Sequence, residues 1–112
     1  DRAATETEFI EQVKQYILDN IGADVSQNSV AADFNISTAH LSRTFKKVTG
    51  ETFSDFVTGA KLDRAARLLL EEPGMTVAQA AEAVGYYNMN YFTTLFKKRF
   101  YKTPSQYRKD KK

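Results

Sequence analysis

Seven consecutive residues of this chain recur in recognisable form further along it. Leu41-Ser42-Arg43-Thr44-Phe45-Lys46-Lys47 aligns with Phe92-Thr93-Thr94-Leu95-Phe96-Lys97-Lys98 at a spacing of 51. Beyond that block, Thr52 matches Thr103 and Phe56 matches Tyr107. Ahead of it, Ala31, Asn35 and Ile36 match Ala81, Gly85 and Tyr86 at a spacing of 50, so the second copy has one extra residue in its turn. Self-similarity on this scale marks a duplicated supersecondary unit. A duplication kept for packing alone repeats its core positions. This one also repeats an exposed Lys-Lys pair and an outer hydroxyl, so surface chemistry is duplicated with the scaffold.

Each copy has the spacing of helices. Thr5-Glu6-Thr7-Glu8 has the form of a capping box. Phe9, Ile10, Val13, Ile17 and Ile21 follow as one buried face, and Gly22 is the expected C-cap. The outer face of this first helix carries Glu6, Glu11 and Asp19, a poor surface to set against phosphate, and suits a support. Ser26 is placed to cap a short helix through Val30, Ala31 and Phe34. Asn35-Ile36-Ser37 reads as a tight turn, since Asn tolerates the left-handed conformation. A second helix from about 38 to 48 should bury Leu41, Thr44, Phe45 and Val48 and stop near Gly50. Short helix, turn, longer helix is the helix-turn-helix pattern.

Thr52 can cap a long helix whose apolar positions run from Phe53 to Leu69 and which Glu72-Pro73-Gly74 ends. Gly59 inside it costs about 1 kcal/mol relative to Ala. Thr76 then opens a short helix through Val77, Ala80, Ala81 and Val84. Gly85 supplies a turn and Tyr86 is expected to be buried. Asn88 caps a helix over about 88–100, in which Tyr91, Phe92, Leu95 and Phe96 form the apolar stripe. Met89, Asn90, Thr93 and Thr94 face away from that stripe, and Lys97, Lys98 and Arg99 crowd the last turn, where cations suit the helix dipole. An uncharged, hydrogen-bonding face that ends in a basic cluster suits the major groove of DNA. Thr103 and Pro104 begin a last short helix in which Tyr107 packs back, with fraying expected from Arg108 onward.

Charge is unevenly spread. The net charge is +2, but residues 1–36 hold two basic and seven acidic side chains, whereas residues 37–112 hold fourteen and seven. A polyanion would meet the C-terminal part first. No cysteine is present, which excludes disulfides and thiolate metal sites and fits a reducing cytoplasm. No apolar run approaches the ~20 residues of a membrane helix, so no membrane association is expected. The sequence opens on Asp-Arg-Ala-Ala without Met, and we expect a segment of a longer protein. There is no Gly-rich phosphate loop, no Ser–His–Asp set and no clustered carboxylate pair, so no enzymatic activity and no cofactor are expected. With His40 the only histidine, no metal site is expected either.

From Ser26 to Lys109 the chain resembles the DNA-binding domain of the AraC/XylS transcription regulators. The resemblance is carried by Val77-x2-Ala80-Ala81-x2-Val84-Gly85-Tyr86-x-Asn88-x2-Tyr91-Phe92-x3-Phe96-Lys97-Lys98 and by Thr103-Pro104-x2-Tyr107-Arg108, with Leu62-x2-Ala65-x2-Leu68-Leu69 between the two copies. It implies a single all-α domain of about seven helices. Residues 1–51 would form the first helix-turn-helix half, 52–72 the linker helix and 73–112 the second half. The implied function is sequence-specific binding of double-stranded DNA as the output domain of a bacterial regulator. Helices at about 38–48 and 88–100 would enter successive major grooves.

Base contacts would then fall on Ala39, Ser42 and Arg43 and on Met89, Asn90, Thr93 and Thr94. Arg43 can grip guanine bidentately, or else hold a phosphate, and Asn90 has the geometry for adenine. Phosphate contacts would fall on His40, Lys46, Lys47, Lys97, Lys98, Arg99 and Arg108, which set affinity and register rather than sequence choice. Three positions depart from the family pattern: Lys61 and Thr94 stand where Arg is common, and Tyr101 where Gly is usual. A sensing, receiver or dimerisation domain would lie elsewhere in the full-length protein, and RNA polymerase is a possible partner. The competing reading is a helical protein-interaction module that contacts RNA polymerase or a partner regulator, served by the acidic first helix.

Overall fold

The computed structural model describes residues 2–111. Among them are seven helices and no strand: α1 (Arg2–Asp19), α2 (Gln27–Asp33), α3 (Thr38–Thr49), α4 (Phe53–Glu71), α5 (Val77–Ala83), α6 (Met89–Phe100) and α7 (Pro104–Asp110). The chain divides into two compact units, one ending at Thr58 and the other beginning at Gly59, so the boundary falls inside α4. No helix among the described residues is long and apolar enough to cross a membrane.

In unit 1 the core joins Ile10, Val13 and Ile17 of α1 to Val30 and Ala31 of α2 and to Leu41 and Phe45 of α3, all nearly inaccessible. Phe45 is the centre of an aromatic cluster, edge-on to Phe53 at 5.5 Å and to Phe56 at 5.4 Å. The Tyr16 hydroxyl of α1 donates to the Asp33 carboxylate of α2. That bond, with Asp33's charge beside it, raises the phenol above its ordinary pKa.

Unit 2 repeats the plan. Leu62, Ala65, Ala66 and Leu69 of α4 join Ala80, Ala81, Val84, Phe92 and Phe96 in the core. Phe96 packs edge-on to Tyr107 at 5.4 Å and lies 4.5 Å from Phe100. Burying each such phenylalanine stabilises the fold by roughly 1.5–3 kcal/mol relative to leaving it exposed.

Several local expectations are corrected. Helix α1 already includes Arg2, so Thr5 lies within it rather than at its start. Ala3 and Ala4, the strongest helix formers, extend it past the Thr-x-x-Glu signal. Its other end comes at Asp19, before Ile21. There the Asn20 side chain donates to the Tyr16 carbonyl at 2.8 Å. Gly22 does not take the left-handed φ found at Gly50 and Gly85. Val48 and Tyr86 are half-buried rather than core. Arg108 does not fray. It lies in α7 and donates to the Leu69 and Glu72 carbonyls at 2.9 and 3.2 Å, satisfying the end of α4.

Candidate nucleic-acid interface

The two helix pairs are built by the same local devices. Ser26 and Thr76 cap α2 and α5, accepting from the Ser29 and Gln79 amides. Both short helices then close with a left-handed residue, Asn35 at φ 61° and Gly85 at φ 93°. The following amide reaches back in each case, Ile36 to the Ala31 carbonyl at 3.0 Å and Tyr86 to the Ala81 carbonyl at 2.9 Å. This six-to-one closure satisfies orphan carbonyls and turns the chain sharply. Ser37 and Asn88 then cap α3 and α6, each accepting at 3.0 Å from an amide three residues on. Four residues connect α2 to α3 and five connect α5 to α6, which is the extra residue visible in the repeat.

In unit 1 the pair is also clamped by side chains. The Thr38 hydroxyl donates to Asn28 at 3.0 Å, and the Gln27 amide donates to the Thr38 carbonyl at 3.2 Å.

With α3 and α6 fixed at their starts, the outer faces follow from helical spacing. Ala39, Ser42, Arg43 and Lys46 stand at i, i+3, i+4 and i+7 on α3; Asn90, Thr93, Thr94 and Lys97 stand at the same offsets on α6. Ala39, Arg43, Lys46, Asn90, Thr94 and Lys97 are exposed, whereas Ser42 and Thr93 are half-buried at the edge of their stripes. Met89, ahead of the second stripe, is half-buried too. The Thr94 hydroxyl donates to the Asn90 carbonyl at 2.9 Å, a back-bond that engages the hydroxyl within the helix.

The cations proposed for phosphate fall into two groups. His40, Lys46, Lys97 and Lys98 are exposed on or beside these faces. The other three are engaged within the protein. Lys47 pairs with Glu6 of α1 at 3.0 Å, Arg99 meets Asp63 of α4 through two bonds of 2.8 and 2.9 Å, and Arg108 holds the end of α4.

Tyr91 was expected in the core and is 57% exposed. The buried stripe of α6 runs through Phe92 and Phe96, with Leu95 half-buried; Tyr91 precedes Phe92 by 100° of helix rotation and so falls outside it. The signal that could have placed it was the repeat itself, since Tyr91 stands 51 residues after His40, an exposed position. Tyr87, ahead of the helix, is 79% exposed and was also missed.

Two short capped helices, each turning into a longer helix with a polar outer stripe and basic residues in its last turn, define a double helix-turn-helix protein. A family model described as a helix-turn-helix domain matches residues 30–110. The chain belongs to the AraC-type helix-turn-helix family. It is 33% identical over 104 residues to the uncharacterized HTH-type transcriptional regulator YfiF of Bacillus subtilis, covering 93% of this chain and 32% of YfiF. It therefore spans about a third of that relative's length. Among solved structures it is 35% identical to the C-terminal domain of AraT, a response regulator from Geobacillus stearothermophilus, with a TM-score of 0.84 over 90% of this chain and 84% of that one. The DNA-binding domain of AdpA, solved in complex with a target DNA, has the same fold, with a TM-score of 0.82 at 20% identity over 90% of each chain.

Proposed function

We propose that this chain binds double-stranded DNA sequence-specifically as the output domain of a bacterial transcription regulator, with α3 and α6 as recognition helices in successive major grooves. The observation that carries this reading is the repeated stripe: Ala39, Ser42, Arg43 and Lys46 on one helix, Asn90, Thr93, Thr94 and Lys97 at the same offsets on the other. AdpA, whose DNA-binding domain shares the fold, was solved on its DNA. Arg43 and Asn90 are the principal base readers in this reading, and Met89 and Ala39 meet thymine methyls. Ser42, Thr93 and Thr94 lie against the base edges. His40, Lys46, Lys97 and Lys98 hold phosphates. No catalytic step is assigned to any residue.

The chain acts in the cytoplasm, within a longer protein that carries a sensing, receiver or dimerisation domain. YfiF is about three times as long as the matched stretch, and the similar part of AraT is the C-terminal domain of a response regulator. RNA polymerase is a further partner in this reading.

The test is a salt titration of binding to a random-sequence duplex pool, with sequencing of the bound fraction. Steep loss of affinity with salt and two short motifs about one helical turn apart are expected. Salt-independent binding, or none, would instead favour a protein-interaction module.

A further inference from the structure

Arg99 stands among three consecutive basic residues at the end of α6, where charge alone suggests another phosphate ligand. Its surroundings say otherwise. Its Nε and Nη2 donate to the two carboxylate oxygens of Asp63 at 2.8 and 2.9 Å, the paired geometry that fixes a guanidinium in orientation as well as position. The same guanidinium lies against the backbone of α4 at Gly59, one helical turn before Asp63. A Cβ added at Gly59 would come 2.9 Å from Nη1 and 3.1 Å from Cζ. Gly59 is buried, has no positive φ and sits inside a helix, where Ala would be the better helix former. The glycine is therefore explained by the space the guanidinium occupies, not by any need of the backbone.

We infer that Arg99 is a positioning residue: with Asp63 and the bare backbone at Gly59 it locks the C-terminal end of α6 onto α4, and so fixes how the Asn90–Thr93–Thr94–Lys97 stripe is presented to DNA. This rests on the DNA-binding reading above. An ion pair at 44% and 51% side-chain exposure adds only a small coupling to global stability, though with two-bonded geometry one that a double-mutant cycle resolves. A rotation of the recognition helix, however, moves every side chain on its outer face together. The lock therefore acts on selectivity more than on folding.

Gly59→Ala is the sharpest variant, because it dislodges the guanidinium without changing any charge. Only the far end of a flexible side chain has to move, so the protein should fold at least as well as before. The measured quantity is the ratio of affinities for the selected sequence and for random duplex, with the salt slope of each. Gly59→Ala, Asp63→Ala and Arg99→Ala should each lower that ratio, by roughly fivefold. Arg99→Ala with Asp63→Ala should lower it no further, and Gly59→Ala should leave the salt slope unchanged. A phosphate-binding Arg99 gives another pattern. Arg99→Ala would flatten the slope by about 0.9 and leave the ratio intact, and that result overturns the lock.

Thermal melting of wild type, the two single Ala variants and the double separates this inference from the reading beneath it. If the wild type binds no duplex, DNA recognition fails, yet coupling between Arg99 and Asp63 is still measured. Strictly additive melting shifts would overturn the lock whatever the DNA result.

Discussion

In unit 1, Phe45 lies 5.4 Å from Phe56 and Gly50 closes α3 at φ 84°; in unit 2, Phe96 lies 5.4 Å from Tyr107 and Tyr101 closes α6 at φ 63°. The ring geometry at these positions is matched, although Leu41 and Thr44 stand where the second copy has Phe92 and Leu95. The charge balance of the two units is not matched. Up to Thr58 the chain carries five basic and nine acidic residues; from Gly59 onward it carries eleven and five. Each recognition helix is tied to the helix that supports it by an ion pair, but by different chemistry: a single Lys47–Glu6 contact in one unit and a two-bonded Arg99–Asp63 contact in the other. The face of α3 offers an arginine where that of α6 offers a threonine already back-bonded to its own helix. The exposed Lys-Lys pair is kept in both copies while Arg43 and Thr94 differ on the outer stripe, so the two copies can keep one scaffold and read different things.

The strongest way to break this comparison is through the cores. Phe45 and Phe96 are both fully buried at equivalent positions. Phe45→Ala and Phe96→Ala should each cost about 3–5 kcal/mol, the usual range for removing a buried aromatic ring. Urea unfolding measures the totals, and native-state hydrogen exchange shows where protection is lost. Each substitution should first weaken protection in its own unit. A Phe96→Ala cost well under half that of Phe45→Ala would mean that the matched ring distances do not reflect matched packing.

The next effect lies on the surface. Arg43→Ala should remove about 1–3 kcal/mol of discrimination at one base pair of the selected site. Thr94→Ala, at the equivalent place, should change little, because its hydroxyl is engaged within α6. Selection from a randomised duplex pool with each variant measures both. If Thr94→Ala erased as much sequence information as Arg43→Ala, the back-bonded hydroxyl would be reading a base after all, and the contrast between the two faces at this position would be wrong.

Much of this architecture was legible in the sequence, and the repeat is the reason. Cap residues at Ser26, Ser37, Thr52, Thr76, Asn88 and Thr103 announce helix starts through local chemistry, and Asn35 and Gly85 announce the turns. Both signals depend only on near neighbours. What stayed hidden depends on phase or on distance. Tyr91 and Phe92 are adjacent and 100° apart on the helix, so a stripe drawn to include both is too wide, and their shared aromatic character does not say which of them centres the buried face. Gly59 looks like a weak point until Arg99, forty residues away in sequence, is seen lying on it. Arg99 and Arg108 each find partners thirty-six or more residues distant, which local spacing and charge do not reveal. The candidate base-reading face was legible because spacing alone sets it; the engagement of Lys47, Arg99 and Arg108 was not.

The smallest expected effect tests a place where the copies differ in backbone chemistry. Gly50 and Tyr101 are left-handed and close their helices in the same way, their amides donating to the Lys46 and Lys97 carbonyls at 2.9 and 2.8 Å. A residue with a Cβ pays roughly 1–2 kcal/mol for that conformation. Tyr101 is 88% exposed, so little packing offsets the strain. Tyr101→Gly relieves it, and the greater freedom of glycine in the unfolded chain returns part of the gain, leaving a stabilisation of about 0.5–1 kcal/mol. The reverse change is as informative. A Cβ at Gly50 would meet nothing within 4 Å, so Gly50→Ala should destabilise by about the same amount through the backbone alone. Chemical denaturation of the two variants should therefore give shifts of opposite sign and similar size. If Tyr101→Gly were destabilising, the exposed ring would have to make a contact that offsets its own strain, and the end of α6 would differ from that of α3 in packing as well as in residue type.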